Sequence, residues 1–178
     1  MLSLIRLLLF SALAVGSFAY AVNPTTSKVE FSVAHLMGAS VVKGYFAEFN
    51  GKIVYDPGDP SHASVDWEIQ TSSVNTSNRS RDKDLRGAKY LDAEHFPTIQ
   101  FHSQTVQSPA PDRLEVTGDF TLHGVTKTIS VPIVVHDDSF ECDFKVLRSH
   151  YGMPLDMVLA GDEVSIHLHV HSVKGESL

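Results

Sequence analysis

Residues 114–135 read LEVTGDFTLHGVTKTISVPIVV. Leu114, Val116, Gly118, Phe120 and Leu122 fall on one face of an alternating run, and Ile129, Val131, Ile133 and Val135 repeat the pattern. A side-chain period of two marks a strand with one apolar and one wet face. His123-Gly124-Val125-Thr126 leaves room only for a tight connection, so the two runs predict an antiparallel hairpin.

The same alternation extends in both directions. Upstream, Phe31, Val33 and His35 share a face, followed by Val42, Gly44 and Phe46. The apolar parity then switches to Phe49, Gly51, Ile53 and Tyr55, and a one-residue phase slip predicts a bulge near Ala47-Glu48. Val65, Trp67 and Ile69 form another run, and Ile99 with Phe101 a short one. Downstream come Phe140, Cys142, Phe144 and Val146, then Val164, Ile166, Leu168 and Val170. Asp56-Pro57-Gly58-Asp59-Pro60 and Ser108-Pro109-Ala110-Pro111-Asp112 are turn chemistry. About eight such strands predict an all-β, meandering antiparallel sheet. Closure into an eight-stranded barrel would leave no exposed edge, with a sandwich as the alternative. Mid-strand Gly44, Gly51 and Gly118 fit the coiling that closure demands.

One stretch, Arg81 to Phe101 (RDKDLRGAKYLDAEHFPTIQF), departs from the alternation. Ser77 or Asn78 is a suitable N-cap for a helix over Arg81–Ala88, Gly87 favours an early stop, and Asp92 can cap a further turn before Pro97. A charged helical insert in a β protein is expected to cover or shape an opening. Its charges, Arg81, Asp82, Asp84 and Arg86, read as an ion-pair lattice pinning the insert to a barrel rim, or as groups positioning a substrate.

Residues 1–21 read as an export leader, with Arg6 before an apolar run from Leu7 and small residues that fit cleavage near Ala19 or Ala21. The run is too short and too rich in Gly and Ser for a membrane span, so no stable membrane insertion is expected after cleavage. One domain, residues 22–178, follows, and the expected location is periplasmic or secreted. Loss of Arg6 takes the formal net charge from −7 to −8, which excludes a general basic field for nucleic acid. The single cysteine, Cys142, shares parity with Phe140 and Phe144 and reads as a buried, inert thiol.

Ten histidines invite a metal reading. His167, His169 and His171 share one strand face, but the outer two lie roughly 13 Å apart along a strand, so the three cannot ligate one ion. They read as a solvated face, and no metal set is expected. His35 is either a polar group in a cavity or a satisfied core histidine. No nucleophile elbow, phosphate loop or zinc-protease signature occurs, so no catalytic set and no cofactor are expected.

Several motifs, in order along the chain, resemble the YceI family of exported bacterial proteins. Ser27-Lys28-Val29-Glu30-Phe31-Ser32-Val33-Ala34-His35 is similar to the family's first strand, and Lys43-Gly44-Tyr45-Phe46-Ala47-Glu48-Phe49-Asn50-Gly51 to its second. Arg81-Asp82, Leu85, Tyr90-Leu91-Asp92 and Phe96-Pro97 resemble its charged segment. Val116 to Lys127 resembles its hairpin, and Arg148 with Tyr151-Gly152-Met153 a late element. Asp84 stands where the family often has His, Tyr90 where it has Phe, and Phe120 where Leu is common.

The resemblance implies a lipocalin-like barrel with the insert at its mouth. It also implies a non-enzymatic protein holding a long amphiphile: a polyisoprenoid, an isoprenoid quinone or a fatty amide. Candidate ligand contacts are Phe31, Val33, His35, Phe46, Phe49, Leu85, Tyr90, Phe96, Phe101 and Tyr151, with Arg81, Asp82 and Arg148 as polar contacts. A hydrolase acting through His35 and Arg81/Asp82, or an envelope stress- or redox-associated interaction module without a ligand, are the rival readings. A homodimer is included among the expected partners.

Overall fold

The computed structural model describes residues 18–35, 38–56, 58–155 and 160–177. Most of the expected leader therefore lies outside the described residues. The strands are β1 (Phe18–Val22), β2 (Lys28–His35), β3 (Ser40–Phe46), β4 (Phe49–Tyr55), β5 (Ser64–Gln70) and β6 (Val74–Asn75). After helix α1 (Arg79–Arg86) come β7 (Thr98–Ala110), β8 (Arg113–Leu122), β9 (Val125–Val135), β10 (Ser139–Leu147) and β11 (Glu163–Ser177).

All pairings are antiparallel, and they close. β4, β5, β7, β8, β9, β10, β11 and β1 form a circuit in which each strand bonds to the next and β1 returns to β4. The barrel expectation holds, with eleven strands in place of eight. Three differences account for the count. β1 falls in the stretch read as leader, β6 is two residues long, and the run with the phase slip is two strands. β3 ends at Phe46 and pairs with β2 and β6, whereas β4 begins at Phe49 and pairs with β5 and β1. The parity switch at Ala47-Glu48 is thus a change of neighbours rather than a bulge.

One edge of β11 serves two partners. Its first half pairs with β2 (Val164 opposite Val33) and its last residues with β1 (Ser172 opposite Val22). The wall is continuous where β1 meets β4, and splits where β2, β3 and β6 peel away. The 71–97 segment bridges this split. At one side Thr71 donates its N–H to Pro97 O and its hydroxyl to Phe96 O, next to β5 and β7. At the other, β6 pairs with β3, and Arg86 donates to Ser72 O and Val74 O.

Local chemistry explains the elements. Asn78 caps α1 by accepting from Arg81 N–H at 3.1 Å, and Gly87 ends it, close to the expected bounds. In β8, residues at alternate positions from Leu114 to Leu122 are buried, as the period of two requires. His123 and Gly124 join β8 to β9 with φ of 51° and 73°, the left-handed pair of a two-residue hairpin turn. A Cβ on Gly124 would also lie 2.4 Å from the Phe96 ring, so this position needs glycine twice over.

Candidate functional site

The inward faces of the strands do not fill the barrel. They leave a cavity of about 200 Å³. Phe31 and Val33 of β2 and Phe46 of β3 form one side of it; Trp67 of β5, Phe101 of β7 and Phe120 of β8 form another. β9 to β11 contribute aliphatic side chains, together with Phe140, Cys142 and Phe144. The bridging segment adds Leu85, Tyr90 and Leu91, and the segment after β10 adds Met153 and Ala160. A larger hollow, about 360 Å³, lies beside the start of β2 and the end of β3. Its lining mixes polar and apolar groups, with the exposed Lys28 and Tyr45 among them, so it lacks the apolar wall of the first cavity.

Two aromatic contacts shape the wall. Phe49 stacks on Trp67 with centroids 5.7 Å apart, and Gly51 lies beneath the same indole. A Cβ on Gly51 would come within 2.3 Å of Trp67 Cε3, so glycine there sets how far the indole leans. Phe120 meets Phe144 and Tyr151 edge to face.

The cavity offers little to a charged group. Among the described lining residues only Glu30 has an acidic and only Arg148 a basic side chain. Glu30 is exposed. Arg148 is buried, and its guanidinium donates to Gly161 O, Ala160 O and Pro154 O, each at 2.8 Å. Burial pushes the Cys142 thiol up to about 12, with the Asp143 and Glu115 charges adding to it, so the thiol stays neutral and unreactive. Among the described residues the buried Trp67 indole N–H, on this wall, has no hydrogen-bond partner.

The structure divides the sequence candidates. Phe31, Val33, Phe46, Leu85, Tyr90, Phe101 and Arg148 line the cavity. Phe49 lies behind Trp67, and Tyr151 sits against Phe120. Phe96 packs on the β8–β9 turn, with its ring 5.0 Å from His123. His35 stands at the β2–β3 end, its Nδ1 3.2 Å from Ser40 Oγ. Arg81 and Asp82 are tied to the bridging segment. Arg81 donates to Thr76 Oγ1 and O, and Asp82 Oδ1 accepts from Thr76 N–H and hydroxyl. Burial works against the Asp82 carboxylate. The Thr76 hydrogen bonds and the Arg86 and Arg81 charges outweigh it and hold the group below the ordinary carboxylate range.

Sequence reasoning passed over Trp67, Phe120, Val131, Phe144 and Ile166 as wall residues. The signal was present in their strand parity. Parity alone does not distinguish a wall from a filled core. Among the described residues no group of three or more His, Cys, Asp or Glu side chains converges on a metal position. No helix among them is long and apolar enough to cross a membrane.

Residues 20–172 match the family model of the YceI-like domain. The protein YceI of Salmonella arizonae is 33% identical over 156 residues, 82% of this chain and 81% of that protein. Among solved structures, Burkholderia cenocepacia BcnA superposes with a TM-score of 0.79 at 23% identity, over 84% of this chain and 98% of that one. A polyisoprenoid binding domain from Saccharophagus degradans superposes with a TM-score of 0.68 at 13% identity, over 89% and 99%.

Proposed function

This chain belongs to the YceI family, and from that premise we propose that it is an exported, non-enzymatic binding protein that holds the apolar chain of an amphiphile inside its barrel. The observation that carries this reading is a cavity inside the barrel whose wall is almost wholly apolar. Desolvating a hydrocarbon chain there contributes about 0.8 kcal/mol per methylene, offset by the cost of ordering the chain. The ligand class is a polyisoprenoid, an isoprenoid quinone or a fatty amide. A volume of about 200 Å³ is below the roughly 300–1,000 Å³ of drug-sized sites, which suits a thin flexible chain better than a rigid ring system.

The wall also bears on the head group. Arg148 is engaged with backbone carbonyls, so among the described lining residues a buried phosphate would meet no free cation. The polar end of the ligand therefore belongs outside the apolar wall or is uncharged. The expected working place is the periplasm or the external medium, after removal of the leader. The small volume is the one feature that favours a rival, an envelope interaction module with a filled core.

Trp67 is the chain's single tryptophan and lies on the wall, so its fluorescence reports directly on occupancy. Titrating delipidated protein with prenyl alcohols of increasing length should shift and saturate the Trp67 emission, with affinity rising with chain length. An emission spectrum indifferent to every probe, with no bound lipid recovered, would refute the proposal.

A further inference from the structure

On the outer face of β11, His169 and His171 sit where the strand's edge partner changes from β2 to β1. Their Nε2 atoms are 2.9 Å apart and their ring centroids 4.6 Å apart. Two imidazole nitrogens at that separation either share one proton or present two lone pairs to one cation. The 13 Å spacing that separates His167 from His171 does not apply to this adjacent pair.

Glu141, opposite on β10, decides the state of His169. Its Oε1 lies 3.0 Å from His169 Nδ1, and a carboxylate only accepts, so the ring proton sits on Nδ1. That leaves a lone pair on His169 Nε2. A carboxylate behind an imidazole in this way orients metal-ligating histidines and raises their basicity. In the metal-free pair, His171 carries its proton on Nε2 and donates it to His169. The strand is held in place here by Ser27, whose Oγ accepts from His171 N–H.

We propose that His169 and His171 chelate one divalent transition-metal ion, copper(II) by preference, with Glu141 as the positioning residue. Two nitrogens in adjacent positions of a tetragonal ion, at about 2.0 Å and a right angle, are about 2.8 Å apart; on a tetrahedral ion they are about 3.3 Å apart. The observed 2.9 Å is the length of the proton-sharing contact and also that of adjacent tetragonal positions, so such an ion needs little movement of the rings. Imidazole ligands and the order of divalent affinities both favour copper over nickel and zinc. On binding, the His171 proton moves from Nε2 to Nδ1, so both Nε2 lone pairs face the ion and no net charge leaves the ring. Water fills the other positions, since no third His, Cys, Asp or Glu ligand converges among the described residues.

The charges around the pair are mixed. Glu141 and the acidic chain favour a cation, while Lys28, opposite His169 on β2, opposes it. His136 Nε2 lies 3.5 Å from Glu141 Oε2 and competes for that carboxylate when protonated. His167 is engaged with Asp143 and stands outside the pair. The site lies on the outer wall and is independent of the cavity.

The test uses the full chain, stripped of metal and titrated with Cu²⁺ in competition with a chromophoric chelator, with electron paramagnetic resonance of the bound ion. The expected result is one equivalent with two imidazole nitrogens in the spectrum, bound at least about tenfold more tightly than Zn²⁺. His169→Ala and His171→Ala should each weaken binding at least about tenfold, and Glu141→Gln about tenfold or more. His167→Ala should leave it unchanged. The double variant H169A/H171A, still folded by its unfolding temperature, should lose the site. Parent-like Cu²⁺ affinity in that double variant, or a spectrum without imidazole nitrogen, would overturn the proposal.

Discussion

One oxygen of Asp82, Oδ1, accepts from both the backbone N–H and the hydroxyl of Thr76, at 2.8 and 2.5 Å. The pair fixes the first turn of α1 to the end of β6. Asp82 is buried, so it cannot fall back on water if Thr76 is removed. Asp82→Asn keeps the size and loses the charge-assisted bonds, and is expected to destabilise the protein by about 1–3 kcal/mol. Thr76→Val should do the same. Chemical denaturation of both variants checks this, and parent-like stability would show that the insert is held by other contacts.

Acid sensitivity follows from the same group. Asp82 is held below the ordinary carboxylate range in the folded state, and so is Asp162, where the Ser149 bonds and the Arg148 and His150 charges outweigh burial. In the unfolded chain both return to about 3.9. The unfolded state therefore binds more protons in this window, and the stabilisation, complete above the unfolded value, is lost as pH falls through it toward the folded one. Stability measured from pH 6 downward should fall below about pH 4, and the fall should be shallower in Asp82→Asn. An equal acid limb in the two proteins would count against Asp82 as a contributor.

Gly51 sets the position of the Trp67 indole. Gly51→Ala should displace it, costing about 1–3 kcal/mol through overpacking. The emission of the single tryptophan should change with it, and chain uptake should drop. An unchanged spectrum in a folded Gly51→Ala protein would mean that the wall yields elsewhere.

Cys142 should resist alkylation by iodoacetamide at pH 8 in the native protein and react fully once unfolded. Mass spectrometry after timed labelling reads both. Rapid native labelling would place the thiol at an open surface.

Under the proposed export, the two candidate cleavage sites differ in what they leave of β1. Tyr20 packs edge to face on Phe140 with centroids 5.5 Å apart. Cleavage after Ala19 keeps this contact and the pairing of Tyr20 with Ile53, whereas cleavage after Ala21 removes both. Sequencing of the mature N-terminus should therefore find Tyr20 first. A mature chain beginning at Val22 would show that the barrel closes without that contact.

The strand faces were legible where period two survives, as in Phe31–Val33 and Val164–Val170; in β7 it holds only over Ile99–Phe101, before the register shifts at Ser103–Thr105 and Gln107–Ala110. The insert was legible too, since Asn78 and Gly87 carry cap chemistry in the sequence. Phase could not show that β3 and β4 have different neighbours, because a bulge and a change of partner shift parity alike. β1 was hidden in a leader-like composition. For the candidate site, parity placed Phe31, Phe46 and Phe101 inward. It also placed His35 inward, but that residue lies at the β2–β3 end, beside Ser40. Phe96 and Tyr151 lie against His123 and Phe120 through contacts between elements far apart in sequence, which no local pattern encodes.

The most direct test of the binding role is native mass spectrometry of the protein purified from its own cell envelope. The account predicts a folded monomer mass, or a multiple of it, carrying a lipid adduct that organic extraction removes and prenyl probes replace. A homogeneous apo mass, with no extractable lipid and no uptake of prenyl probes, would contradict it.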